Sequence, residues 1–243
     1  MIREERIEIG RIPALRIYGS EPSQGVVIFY HGWTSTKELQ ALRGRIFAAY
    51  GYDVLIPDAI NHGERGPIDY NEPAAYAAFW QTIFRNVEEA AQLIDYAKAW
   101  RPGLPLAVTG HSMGGFTALG VLTHYGEFST AVAMNGSGWW DESERRFRAA
   151  LKLDKPAGFA GILASLKAYD PYDHMDKLAG RSLLAINGGA DPVVDGAAQT
   201  LYMEKLSNQP EVQSEALSFP GLGHFVTTQM MGAAIDWLQK ELH

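Results

Sequence analysis

Five short, almost wholly apolar runs recur along the chain: VVIFY at 26–30, DVLIP at 53–57, LAVT at 106–109, AVAMN at 131–135 and LLAIN at 183–187. A strand with one face in water alternates apolar and polar side chains. A run without alternation has to be covered on both faces, which is the condition of a parallel sheet between two layers of helices. The intervening segments carry the helical period. Tyr76, Trp80, Ile83, Val87, Ala90, Ile94 and Ala97 recur at spacings of three and four within 74–98, as do Met231, Ile235, Leu238 and Leu242 near the end. RIEIG (6–10) and ALRIY (14–18), joined at Pro13, read as an antiparallel pair, and EALSF (215–219) as a last strand. The chain is therefore expected to be an α/β protein with a mostly parallel central sheet of about eight strands and helices on both faces.

Two stretches break the alternation. More than forty residues separate Asn135 from Ser182, too many for a simple crossover, so 137–180 is expected to form a small helical cap within one domain spanning 1–243. The stretch 67–81 reads as a smaller excursion before the long helix.

Composition narrows the function. A net charge of -7 disfavours nucleic acid and anionic membrane surfaces as partners. The absence of cysteine removes disulfides, thiolate metal sites and cysteine nucleophiles. The charged start MIREERIEIG has no signal-like core, and no segment approaches a membrane span, so a cytoplasmic location is expected. No phosphate loop, dinucleotide fingerprint or metal-ligand spacing occurs, so neither cofactor nor metal is expected. A homodimer is compatible with the sequence.

The run 106–109 leads into GHSMGG (110–115), where a strand pattern gives way to a helix pattern. A strand can feed straight into a helix only through a very sharp turn. Gly110, Gly114 and Gly115 remove side chains that would collide there, leaving Ser112 at the carboxyl end of the sheet and at a helix N-terminus. A serine hydroxyl needs a base. Of seven histidines, His224 lies in the loop between the last strand and the last helix, with Gly221 and Gly223 to turn it. The base needs an orienting acid, and Asp191 follows the strand 183–187 directly; Asp195 is the alternative, though its place suits a helix cap. Oxyanion donors are expected from the backbone N–H groups of Met113 and of Trp33 in the loop after VVIFY. His31, His62, Trp139 and Trp140 are expected around the substrate pocket, with His31 bracing the oxyanion loop and His62 either meeting substrate or pinning the 58–66 loop beside Asp58. Tyr76 and Trp80 are assigned to the core, and Arg145, Arg146 and Arg148 to a solvated helix face.

HGW at 31–33, GHSMGG at 110–115, GGAD at 188–191 and GLGH at 221–224, in that order, resemble the α/β-hydrolase superfamily over essentially the whole chain. PDAINHGERG at 57–66 is similar to bacterial serine esterases related to the prolyl oligopeptidase and dienelactone hydrolase groups. The resemblance implies an α/β-hydrolase fold and cleavage of small carboxylic esters through an acyl-enzyme. A serine acyltransferase or peptidase on the same residues, or a non-catalytic receptor that keeps the pocket, are the alternatives.

Overall fold

The computed structural model describes residues 1–20, 22–72, 74–155 and 159–242. Strands β1 (Arg3–Ile9) and β2 (Ile12–Tyr18) form the antiparallel pair. They meet at Gly10–Arg11, not at Pro13, which lies inside β2 opposite Glu8. Its carbonyl accepts from Asp58 N–H at 2.8 Å, and the Asp58 carbonyl accepts from the Arg65 guanidinium at 3.2 Å.

The remaining strands are β3 (Val26–Tyr30), β4 (Asp53–Pro57), β5 (Leu106–His111), β6 (Phe128–Met134), β7 (Ser182–Gly188) and β8 (Gln213–Phe219). They run parallel to one another, and the eight-stranded order is β1-β2-β4-β3-β5-β6-β7-β8. Every residue of β3 and β4 is buried, as their unalternating sequences require. Helices α1 (Ala41–Ala49) and α7 (Thr228–Glu241) cover one face. Helices α2 (Ala75–Trp100), α3 (Met113–His124) and α6 (Ala197–Leu206) cover the other. Among the described residues no helix is long and apolar enough to cross a membrane.

Between β6 and β7 the described residues form α4 (Trp140–Leu151), α5 (Phe159–Tyr169) and a 3-10 stretch at Pro171–Leu178. The start of α4 is fixed by Asp170, whose carboxylate accepts from Trp140 N–H at 3.0 Å and Asp141 N–H at 2.8 Å. That satisfies two of the donors a helix N-terminus leaves free.

The chain reverses its winding direction at β3. After β4 is laid on one side of β3, β5 is laid on the other. A crevice opens at such a switch point, outside the carboxyl ends of the strands. The loops after β3 and β5 flank it, because Tyr30 pairs with Gly110 at their ends.

Candidate active site

Ser112 sits between β5 and α3 with φ 58° and ψ -122°, a conformation that costs an L-residue on the order of 1–3 kcal/mol. The surroundings over-determine it. Ser112 N–H donates to the Met134 carbonyl at 2.9 Å, and its own carbonyl accepts from Gly115 N–H at 2.7 Å. The glycines are required by contact: a methyl group on Gly110 would lie 2.2 Å from the Gly114 oxygen, and one on Gly114 only 2.0 Å from the Tyr30 oxygen.

His224 and Asp191 reach Ser112 through the pairing of β7 with β8. The loops after these strands zip together through Gly189 N–H to the Phe219 carbonyl and Ala190 N–H to the Leu222 carbonyl, both at 2.9 Å. A side chain on Gly188 would strike the Gly223 oxygen at 2.3 Å, so glycine is needed there for the approach. His224 Nε2 stands 2.9 Å from Ser112 Oγ, and His224 Nδ1 stands 2.6 Å from Asp191 Oδ2. Asp191 Oδ1 accepts from the N–H groups of Val193 (2.8 Å) and Val194 (3.0 Å), which fixes the carboxylate's orientation. Asp195 is engaged elsewhere: it accepts from Ala197 N–H at 3.0 Å and pairs with Arg146 at 2.5 Å. That ion pair joins α4 to the loop bearing Asp191, so Arg146 is more than a solvated face.

The loop His31–Trp33 lies against the serine turn; a methyl group on Gly32 would be 3.4 Å from Ser112 Cβ. Neither Trp33 N–H nor Met113 N–H has a hydrogen-bond acceptor among the described residues.

Two residues that the motifs left unassigned support this arrangement. Asn135, at the end of β6 with φ 49°, accepts from Gly188 N–H at 2.8 Å and donates to the Phe225 carbonyl at 3.1 Å. It thereby holds the His224 loop to the sheet end. Its amide also lies 3.3 Å from Nε2 of His111, whose ring centroid is 4.9 Å from that of His224. An asparagine closing a buried strand was the available signal.

Ser112 opens into a cavity of about 620 Å³ with a predominantly apolar wall. Trp33, Tyr70, Tyr76 and Phe79 form one side, Phe147 and Leu151 of α4 another, and Pro192 to Val194 a third. The four expected pocket residues are not part of this wall. Trp140 is fully buried, its ring 6.4 Å from Trp80 and 6.2 Å from Phe84, because Asp170 turns the start of α4 into the core. Trp139 stacks on Tyr172 at 4.0 Å. His31 is buried behind the loop that carries Trp33, with Nδ1 2.9 Å from the Gly32 carbonyl and Nε2 accepting from Ala59 N–H at 3.0 Å. His62 is buried too, its ring 4.8 Å from that of Trp33, which makes it backing for the wall. The excursion at 67–81 instead supplies Tyr70, Tyr76 and Phe79. Tyr76 faces the cavity, with its hydroxyl donating to Glu144 at 2.7 Å, while Trp80 remains core.

Beneath the wall lies a buried charge pair that sequence reading missed. Lys37 Nζ is 2.6 Å from Asp58 Oδ2 and 2.5 Å from Glu64 Oε1. Asp58 also accepts from the N–H groups of Lys37 (2.9 Å) and Glu64 (3.1 Å), which pays for much of its desolvation.

Burial pushes His31 down to about 4 and His111 down to about 3, with neighbouring histidines adding to the effect. His31 Nε2 must stay unprotonated to accept from Ala59. The unfolded chain takes up these protons below pH about 6.5, whereas the folded chain resists until about 4 and 3. These two histidines by themselves make stability fall as pH drops from about 6.5 toward 3, whereas Asp170, which burial pushes up to about 7, acts in the opposite sense between about 7 and 4. With two groups against one, unfolding free energies from urea titrations should be lower at pH 4.5 than at pH 6.5, by on the order of 1 kcal/mol per pH unit.

Residues 21–167 match the family model described as serine aminopeptidase, S33. The chain is 29% identical to Esterase YjfP of Escherichia coli (strain K12), and 28% identical to Putative esterase YitV of Bacillus subtilis (strain 168), with all of each chain covered. TT1662 from Thermus thermophilus has the same fold, with a TM-score of 0.81 at 24% identity over 99% of this chain and 98% of that one. So does a cold-adapted esterase from an Arctic intertidal metagenomic library, with a TM-score of 0.71 at 15% identity over 100% and 94%. The eight-stranded sheet, the strained turn after its fifth strand and the match across 21–167 lead to one conclusion: the chain belongs to the serine aminopeptidase S33 family of α/β-hydrolases.

Proposed function

We propose that the protein is a serine carboxylesterase that cleaves small carboxylic esters through an acyl-enzyme. The observation that carries this reading is the hydrogen-bonded line Ser112–His224–Asp191, at 2.9 and 2.6 Å, ending at the apolar cavity. Two full-length relatives that bear the name esterase support it.

In this mechanism Ser112 Oγ attacks the ester carbonyl while His224 Nε2 takes its proton. Asp191, held by two backbone N–H groups, keeps the proton on Nδ1 and stabilises the imidazolium. The carbonyl oxygen becomes an oxyanion between Met113 N–H and Trp33 N–H, which need surrender no internal partner. As the C–O bond to the alcohol breaks, His224 returns the proton to the leaving oxygen. Water, deprotonated by His224, then attacks the acyl-enzyme, and Ser112 leaves reprotonated.

The test pairs a fluorophosphonate probe with matched 4-nitrophenyl esters, thioesters and 4-nitroanilides. The expected result is stoichiometric labelling on Ser112 and faster turnover of esters than of the matched anilides. Folded protein that remains unlabelled would favour a receptor, and preferential anilide cleavage would favour a peptidase.

A further inference from the structure

The cavity has a direction relative to the proposed chemistry. Its wall contains Ser112 and Trp33 and then runs toward α2 and α4, through Phe79 and Phe147. The His224 ring is not part of that wall. The group that leaves receives its proton from His224 Nε2, so the alcohol departs on the histidine side. There the next residue, Phe225, is 67% exposed. The cavity lies on the other side of the carbonyl, where the acyl group is held.

The mouth is exposed, with Leu151 62% and Val193 58% accessible. At the inner end Phe147 stands between the cavity and the core. Its ring meets Phe79 at 5.9 Å, and buried Phe116 and Trp80 at 6.0 and 6.4 Å, with edge-on or tilted geometry. Among the described residues of the wall there is no lysine or arginine, and the charged one is Glu72, exposed at the mouth.

We propose that this cavity is the acyl site, that Phe147 is the floor that limits acyl length, and that the enzyme discriminates among uncharged aliphatic acyl chains while tolerating varied alcohols. The proposal rests on the ester-cleaving reading above and adds which half of the ester is measured, and by what. An uncharged chain follows from the wall: it offers an apolar surface to methylenes and no cation to a terminal carboxylate, which Glu72 would repel.

The experiment uses two ester series on the full chain: acyl length varied from acetate to decanoate with 4-nitrophenol fixed, and alcohol length varied with the acyl group fixed. Wild type, Phe147→Ala and Phe147→Leu are compared, with kcat/KM normalised to sites titrated by a small fluorophosphonate so that any misfolded fraction drops out. For the wild type, kcat/KM should climb with acyl length and then fall, and vary little with the alcohol. In Phe147→Ala the octanoate-to-butyrate ratio should rise by about tenfold or more, since each methylene newly buried is worth roughly fourfold, and Phe147→Leu should fall between. If esters are cleaved but the ratio is unmoved, or discrimination lies in the alcohol series, the assignment of the cavity is overturned and the esterase reading stands. If no ester in either series is cleaved, both fall.

Discussion

Replacing Ser112 by alanine is expected to reduce kcat on 4-nitrophenyl esters by about 10⁴- to 10⁶-fold, with little change in thermal stability. The size follows from the proposed division of labour. Without Oγ there is no covalent intermediate, and His224 can act only on a water in the same place. The oxyanion donors and the cavity remain, so residual catalysis above the uncatalysed rate is expected. His224→Ala should fall in the same range, and the Ser112/His224 double variant hardly further, because the two act as one unit. The stability expectation is equally specific. The unusual φ of 58° at residue 112 is imposed by the backbone bonds to Met134 and Gly115, not by the hydroxyl. Alanine keeps those bonds. Mass spectrometry of the probe-treated variant separates the possibilities: loss of labelling with an unchanged melting curve supports the assignment. Turnover within tenfold of wild type, on protein freed of contaminating esterase, would show that another nucleophile does the work.

How far the residues announced this arrangement depended on the kind of constraint each obeys. Strands β3 and β4 were readable to the residue because burial on both faces leaves almost no polar position to blur the pattern, the exception being Asp53 at the start of β4, which Arg101 pairs. The serine turn was readable because a steric demand restricts which residue type can stand at 110 and 114. Asp191 and His224 could be placed near it because loops after neighbouring parallel strands emerge at the same end of the sheet.

The pocket was not readable in that way. Trp140 follows a strand end as a pocket residue would, but Asp170, thirty positions later, caps α4 and turns that ring inward. Tyr76 and Trp80 share one helical stripe, yet the stripe meets the core at Trp80 and the cavity at Tyr76, at the start of α2. Periodicity gives the buried face of a helix; it does not give where along the helix the core stops. Lys37 carried no local sign of burial either, since its partners Asp58 and Glu64 lie more than twenty residues away.

Gly114→Ala is expected to be severely damaging, with loss of most soluble protein and a fall of at least 100-fold in turnover by the fraction that folds. The new Cβ would lie 2.0 Å from the Tyr30 oxygen and 2.8 Å from the His31 oxygen. Both obstacles are backbone, so no rotamer change can clear them. Relief demands that β3 and α3 separate by about 1 Å to reach the closest approach that Cβ atoms tolerate. The cost of such overpacking is about 3 kcal/mol or more, a large share of a marginal stability. The same separation moves the loop proposed to supply an oxyanion donor, which continues from Tyr30 through Gly32, away from the serine turn. A displacement of about 1 Å between reacting groups is enough for a hundredfold loss of rate. Gly232→Ala is the matched control. It sits inside α7 with nothing within 4 Å of the added methyl, so the helix should gain up to about 1 kcal/mol and activity should be unchanged. Thermal unfolding and site-titrated kcat for the two variants test this directly. If Gly114→Ala melts within about 2 °C of wild type and turns over normally, then β3, β5 and α3 are not packed at these distances, and the account of the strained serine fails with them.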